Sequence, residues 1–389
     1  MYDHILVRFG ELSTKGHNRS QLEQILQRNI QQAVQPWPTI RVVRKSSRIV
    51  VELGNVPVKP VMDRLRRVFG ISSLSAVART ELSVQAILDT AVRVYRHEMP
   101  TPGSFKVEVR RGNKQFELDS PTLAREVGAA ILRDVEGATV DVHHPEVQVE
   151  VDVRDADAYV FAGRVQGAGG FPVSMSGRVA GLLSGGIDSP VAVWKALRRG
   201  LDVDLVHFHS FPFTSERAQR KVEDLTSLLA DWAGPRRLYL VSLTEVQAEI
   251  RRECPESLRT VLLRRMMFRI VTAMADRNNW GGIVTGDSVG QVASQTLEAL
   301  NAVDAVTPLT VIRPLAVEDK VDIIRMAQAI QTYDVSILPY DDCCSLFAPR
   351  RPKTHPTLKE VTEGEAALDI EGLVQRAMDT VEVKTIASV

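Results

Sequence analysis

The segment Leu182-Leu183-Ser184-Gly185-Gly186-Ile187-Asp188-Ser189-Pro190 joins a strand-sized apolar run to a helical pattern, and no other stretch of the 389 residues constrains the fold as tightly. Two adjacent glycines let the backbone turn sharply and bring its N–H groups close to an anion. Ser184 and Ser189 add hydroxyl donors, and the helix N-terminus adds a favourable dipole. Pro190 suits the first helical turn, where its missing N–H is not needed. No lysine follows the glycines, so this is not the Gly-x-x-x-x-Gly-Lys-Ser/Thr loop, and it is not a Gly-x-Gly-x-x-Gly fingerprint either. A glycine turn that merely caps a helix is the plainer alternative. From residue 177 onward strands at 178–183, 202–208, 237–242 and 282–285 alternate with helices at 189–199, 215–233, 257–279 and 318–330. That alternation predicts a doubly wound parallel sheet with right-handed crossovers and ligands at the carboxyl ends of its strands.

The six positions Ser184 to Ser189 resemble the PP-loop, Ser-Gly-Gly-x-Asp-Ser, of enzymes that split ATP between its α- and β-phosphates. The strand–loop–helix setting favours phosphate binding over a simple cap. The resemblance implies that the loop holds pyrophosphate, with Asp188 organising Mg2+ or orienting the loop. A helix-capping carboxylate is the alternative role for Asp188. His207-Phe208-His209-Ser210 closes the next strand, and Thr285-Gly286-Asp287 leads into Gln291, Ser294 and Gln295 after a later one. Together these read as a ribose and adenine site, with Gly286 permitting close backbone approach.

The first 170 residues read differently. Residues 1–60 give strand, helix, strand, strand, a small α+β unit ending at a seam in Pro57-Val58-Lys59-Pro60. Residues 61–170 hold helix patterns at 84–99 and 120–134, the second opened by Ser120 as N-cap and Pro121. Strands are expected at 105–110, 147–153 and 158–164, and Gln166-Gly167-Ala168-Gly169-Gly170-Phe171-Pro172 reads as a linker. Lys106, Arg110, Arg111 and Lys114 form a basic strand-and-loop edge suited to phosphates, or a solvated charged face. His143-His144 before Pro145 reads as a turn rather than a metal site.

Phe105-Lys106-Val107-Glu108-Val109-Arg110-Arg111, Pro121-Thr122-Leu123-Ala124-Arg125-Glu126-Val127-Gly128 and Val140-Asp141-Val142-His143-His144-Pro145-Glu146-Val147 resemble the THUMP domain of tRNA-modifying enzymes. Ile5-Leu6-Val7-Arg8-Phe9-Gly10-Glu11-Leu12-Ser13-Thr14-Lys15-Gly16 resembles the ferredoxin-like domain that precedes it. In this order, with the PP-loop behind them, the segments are similar to the tRNA 4-thiouridine synthetases, and the similarity covers nearly the whole chain. The resemblance is to the short form of the family, which is expected to lack the rhodanese-like domain of longer members. The resemblance implies a ferredoxin-like domain over 1–60, a THUMP RNA-binding domain over 61–170 and a PP-loop ATP pyrophosphatase domain over 171–389. It places ATP contacts at Leu182, Leu183, Ser184, Gly185, Gly186, Asp188, Ser189, His207, Phe208, Arg264, Gly286 and Gln295. It puts Lys320 near the reacting phosphate, where a cation stabilises developing charge by about two to four kcal/mol. Without the family, Arg264 reads as a solvated helix face and Lys320 as a surface lysine at a helix start.

Cys343 and Cys344 sit in a Pro- and Asp-rich loop with neither the spacing nor the partners of a metal site, whereas Cys254 reads as structural. Adjacent thiols with an odd total exclude a disulfide framework and fit a reducing compartment. In the resemblance, Cys343 carries persulfide sulfur delivered by a cysteine desulfurase or another carrier. The expected reaction is adenylation of O4 of uridine 8 in tRNA, followed by sulfur attack at C4, with Mg2+ and ATP consumed. A homodimer is the family's expectation. The overall balance of 48 basic and 48 acidic residues says nothing about nucleic acid. The excess of 9 basic over 4 acidic residues in 1–60 says a little. Apolar runs are strand-sized and the N-terminus has no signal pattern, so membrane insertion and export are not expected and the cytoplasm is. Two rival readings remain at this point. One is a PP-loop enzyme that adenylates for amide transfer, and the other a tRNA-binding protein with a vestigial ATP domain.

Overall fold

A computed structural model describes residues 1–10, 19–45, 48–340, 349 and 351–388. Two compact units result, Met1–Pro172 and Val173–Val389.

The first unit begins with β1 (His4–Arg8), α1 (Arg19–Ala33), β2 (Arg41–Lys45), β3 (Arg48–Glu52), α2 (Val58–Leu65) and β4 (Ser73–Thr80). It continues through α3 (Val84–Glu98), β5 (Ser104–Arg111), α4 (Ser120–Asp134), β6 (Thr139–Val140), β7 (Val147–Val153), β8 (Ala158–Ala162) and β9 (Val165–Gln166). The strands form one nine-stranded sheet ordered β2-β3-β1-β4-β8-β7-β5-β6, with β9 also on β4. β4 is the joint. Its Ser73–Val77 stretch pairs antiparallel with β1, and its Ala78–Thr80 stretch pairs with β8. Beneath the β4–β8–β7–β5 part, Ile87, Ala91, Tyr95, Leu123, Val127 and Ile131 from α3 and α4 pack against Phe105, Val149 and Val151.

Three expectations change here. The Pro57–Pro60 seam is the start of α2, which tolerates Pro60 in its first turn and buries Val61 and Leu65. The cap of α4 is Asp119 rather than Ser120, its carboxylate accepting from the Thr122 N–H at 2.8 Å. The glycine-rich stretch after residue 165 is no free linker. Gly167, Gly169 and their neighbours run a backbone ladder with Gly70, Ile71 and Ser72. A Cβ on Gly167 would stand 2.3 Å from the Ile71 carbonyl oxygen, which is why the position takes glycine.

The second unit runs β10 (Arg178–Leu182), α5 (Asp188–Arg198), β11 (Asp202–His209), α6 (Glu216–Ala233), β12 (Arg236–Ser242), α7 (Thr244–Glu253) and α8 (Arg259–Asn278). Then come β13 (Gly282–Val284), α9 (Leu297–Asp304), β14 (Thr310–Ile312), α10 (Lys320–Ala329) and α11 (Tyr333–Ser336). It closes with α12 (Leu358–Gly364), α13 (Ile370–Asp379) and β15 (Glu382–Ile386). The sheet order is β14-β13-β10-β11-β12-β15. All neighbours are parallel except β15, which adds an antiparallel edge to β12. α8, α7, α9 and α13 bury one face through Leu262, Met266, Phe268, Val271 and Leu373. The chain winds outward from β10 through β11 and β12, then returns to the other side of β10 with β13. The winding therefore reverses beside β10, and doubly wound sheets open a crevice at such a point.

Candidate functional site

That crevice holds the phosphate loop. Leu183 continues β10 by donating its N–H to the Val206 carbonyl at 2.9 Å, after which the chain breaks away at Ser184. The Ser189 hydroxyl ties the loop shut, accepting from the Ser184 N–H at 2.9 Å and donating to the Ser184 carbonyl at 3.1 Å. The Ser184 hydroxyl accepts from the Gly186 N–H at 3.2 Å. From β11, His207 is buried and its Nδ1 lies 2.9 Å from the Leu183 carbonyl. A carbonyl only accepts, so Nδ1 carries the proton. The backbone after β13 crosses the loop so closely that a Cβ on Gly286 would stand 2.8 Å from Ser189 N and 2.9 Å from its Cα. Glycine is required by that approach.

A cavity of about 280 Å3 opens here. Of the expected ATP contacts, Leu182, Leu183, Ser184, Asp188, Ser189, His207, Phe208, Arg264, Gly286 and Gln295 line it, together with Thr260, Met267, Thr285, Asp287 and Ser294. Gly185 instead lines a smaller recess behind the loop, with Lys221 and Tyr340, and Gly186 is exposed.

Asp287 organises the cavity wall. Only 7% exposed, its carboxylate meets Arg264 at 2.5 Å and Arg313 at 3.3 Å, and it accepts from the Thr285 hydroxyl at 2.8 Å. Burial pushes this carboxyl up, but Arg264, the Thr285 hydroxyl and Arg313 outweigh burial and hold it below the usual carboxylate range. Arg264 also donates to the Ser294 carbonyl at 3.1 Å, so it braces the loop after β13 and is not a solvated surface group. Gln295 donates its Nε2 to Asp287 at 3.2 Å, which leaves Oε1 buried with no hydrogen-bond partner among the described residues. An unsatisfied buried acceptor on a residue that lines this cavity suits a ligand that brings an N–H donor, as an adenine amino group does.

At the mouth, Asp188 begins α5 without capping it. It meets the Lys320 ammonium at 2.5 Å and accepts from Gln291 at 2.8 Å. Gln291 thus belongs to the carboxylate, not to the cavity lining. Lys320 opens α10, as the helical pattern implied, and reaches across to the loop. Among the described residues no group of three His, Cys, Asp or Glu side chains is arranged to hold a metal ion. Cys343, Cys344 and the flanking Asp341 and Asp342 lie outside the described residues. Cys254 is buried after α7, and burial pushes its thiol up to about 11, which suits an unreactive structural thiol.

On the first unit, Lys106, Glu108 and Arg110 alternate along one face of β5, while Arg111 falls on the other. Arg110 pairs with Glu108 at 3.2 Å. Arg111 donates to the Phe116 and Leu118 carbonyls, both at 3.0 Å, and so holds the following loop. Lys114 is exposed in that loop. Asp141 accepts from the His143 and His144 N–H groups, which makes the histidine pair a turn.

Comparison with known proteins settles the family. The description Thiamine biosynthesis protein (ThiI) matches residues 174–370, the ThiI ferredoxin-like domain matches 4–75 and the THUMP domain matches 81–162. Probable tRNA sulfurtransferases from Alkaliphilus oremlandii and Moorella thermoacetica are 42% and 44% identical, covering 98% and 99% of this chain and 98% of each relative. The chain belongs to the tRNA sulfurtransferase family. A solved 4-thiouridine synthetase, crystallised with RNA and bound ATP, superposes with a TM-score of 0.93 at 35% identity, over 99% of this chain and all of that one. PH1313 from Pyrococcus horikoshii follows with a TM-score of 0.68 at 25% identity, over 85% of this chain. No helix among the described residues is long and apolar enough to cross a membrane.

For a tRNA sulfurtransferase, the sequence reading left two parts of this site unassigned: the Asp287–Arg313 pair and the buried Lys221. Asp287 stood inside a quoted run, but nothing in spacing says that two arginines converge on it. Arg313 carried a readable signal, a cation directly after the apolar β14 at a carboxyl strand end.

Proposed function

We propose that this chain activates a uridine of tRNA with ATP and replaces its oxygen with sulfur, making 4-thiouridine, at uridine 8. The observation that carries the reading is the phosphate loop at the β10 switch point, held against Gly286 and faced at its mouth by the Asp188–Lys320 pair. The bound ATP and RNA of the superposable 4-thiouridine synthetase support it.

In this account adenosine lies in the cavity, its amino group meeting Gln295 Oε1 and its ring against Leu182, Phe208 and Met267. Arg264, Gly286 and His207 shape the rest of that wall. The loop N–H groups and the Ser184 hydroxyl take the β- and γ-phosphates. Uridine O4 bonds to the α-phosphorus while the α–β bond breaks and its electron pair leaves with pyrophosphate. Lys320, 2.5 Å from Asp188, neutralises charge that develops on the α-phosphate. Asp188, at the mouth of the cavity, would hold a Mg2+ ion that enters with the phosphates, and the ion would supply charge neutralisation. The terminal sulfur of a persulfide on Cys343, loaded by a cysteine desulfurase, bonds to C4 as AMP departs. A second thiol then attacks the Cys343 sulfur, breaking the S–S bond, forming a disulfide and releasing 4-thiouridine. Lys106, Arg110 and Lys114 contact tRNA phosphates on the THUMP region, over about 61–170, behind a ferredoxin-like region over about 1–60. RNA read by shape and backbone needs such cations rather than base-specific side chains.

The test is the cleavage position in ATP. With α-labelled ATP and unmodified tRNA the protein should release AMP, not ADP, and tRNA should stimulate release. Lys320→Met should slow it by about a hundredfold or more, the usual loss when one charge-stabilising donor goes. ADP release, or AMP release indifferent to tRNA, would overturn the proposal.

A further inference from the structure

We propose that Lys221 is a further positioning residue of the phosphate loop, a cation brought to the pyrophosphate side of ATP from the following helix. The inference deepens the reading of the crevice as an ATP site and rests on it.

The loop sequence from Ser184 to Ser189 contains no lysine, unlike phosphate loops that carry one after their glycines. The fold supplies one. Lys221 lies on α6, a helix whose N-cap Ser215 accepts from the Ala218 N–H. Its side chain is only 5% exposed, although lysine is among the residues least often buried. It lies directly along the glycine turn. Cδ, Cε and Nζ are 3.3, 3.4 and 3.5 Å from where a Cβ on Gly185 would stand. A side chain at 185 would press on that lysine, so the glycine serves the ammonium as well as the turn. Nζ donates to the Leu338 carbonyl at 2.8 Å, which fixes the head group beside the loop. Gly185, Lys221, His207 and Tyr340 line one recess behind the loop.

Lys320 meets Asp188 at the helix end of the loop, and Lys221 meets Gly185 at its strand end. A leaving pyrophosphate gathers negative charge as the α–β bond breaks. A cation already immobilised by burial favours that charge without losing side-chain entropy at the moment of binding.

Calorimetric titration of the full chain with inorganic pyrophosphate, ATP and AMP tests this, because AMP lacks the phosphates that Lys221 would serve. Lys221→Met should weaken pyrophosphate and ATP by about tenfold or more while AMP stays within about twofold. Lys221→Arg, which keeps the charge, should recover part of the loss. If Lys221→Met fails to fold, Lys221→Gln keeps a donor for Leu338 without the charge and must show the same split. Equal weakening of AMP and pyrophosphate would mean that Lys221 merely props the loop, and unchanged pyrophosphate affinity in a folded variant would overturn the proposal outright. A wild-type protein that binds both ligands yet never thiolates tRNA would remove the sulfur-transfer reading and leave Lys221 in place.

Discussion

Asp287 is a carboxylate buried between Arg264 and Arg313, and its value to the protein depends on staying ionised. Its folded pKa lies below an unfolded value near 4. Its stabilisation is therefore full above about pH 4 and lost as pH falls through the lower folded value. Asp287→Asn leaves the half-buried Arg264 guanidinium without its anion, while Arg313 keeps Asp304 at 2.6 Å, and should remove about 3 kcal/mol at pH 7. Urea unfolding should show that gap closing as pH is lowered toward 3, and a gap that stays constant would contradict the assigned charge state. Gly286→Ala tests the close crossing instead. The added methyl meets backbone atoms of Ser189 and Asp188, which cannot rotate away. Calorimetry should show ATP affinity falling by about tenfold or more with the overall fold retained. At this scale the sequence was legible where a motif fixes backbone geometry, as in the glycine turn at Gly185 and the close approach at Gly286. It was silent where the partner comes from a distant element, as for Lys221, because a lone lysine in a helix reads the same on a surface as inside.

Among the elements, α8 carries most of the packing under the sheet, and its middle is fixed by charge. Arg265 and Arg269 both pair with Glu365, just after α12, at 2.7 Å, and Arg265 and Glu365 are each 4% exposed. Burial pushes the Glu365 carboxyl up, but Arg269 and Arg265 outweigh it and leave the group below its ordinary value. Glu365→Ala should cost about 3–5 kcal/mol, because a buried guanidinium is left without its anion. Unfolding free energies near neutral pH measure this, and a loss under about 1 kcal/mol would mean that solvent reaches Arg265. The long helices α3, α4, α6 and α8 were readable within a residue or two at each end. α2 was not, since Pro60 looks like a breaker until its place in the first turn is seen. β15 was not either, because a polar edge strand with exposed Glu382 and Val383 has no buried face to write a pattern.

The molecule as a whole is two compact units, and the first divides differently from its sequence pattern. Family descriptions meet near residues 75–81, yet β4 spans that point and pairs with β1 on one side and β8 on the other. A shared central strand couples the two parts mechanically. Met1–Pro172 expressed alone should therefore unfold in urea as one transition, with fluorescence and circular dichroism coincident. Two separated transitions would show that β4 is a hinge rather than a joint. The parallel core of the second unit was legible from alternating strands and helices. The continuity through β4 was not, because strand pairing between distant segments leaves no local signal.

The central claim is sulfur transfer to tRNA, and nucleoside mass spectrometry tests it most directly. Unmodified tRNA would be incubated with the protein, Mg2+, ATP, cysteine and a cysteine desulfurase, then digested and analysed. A 4-thiouridine peak that requires ATP and disappears in Asp188→Ala and Cys343→Ser is the predicted result. Undiminished 4-thiouridine from Asp188→Ala, or tRNA that remains unthiolated while AMP accumulates, would contradict it.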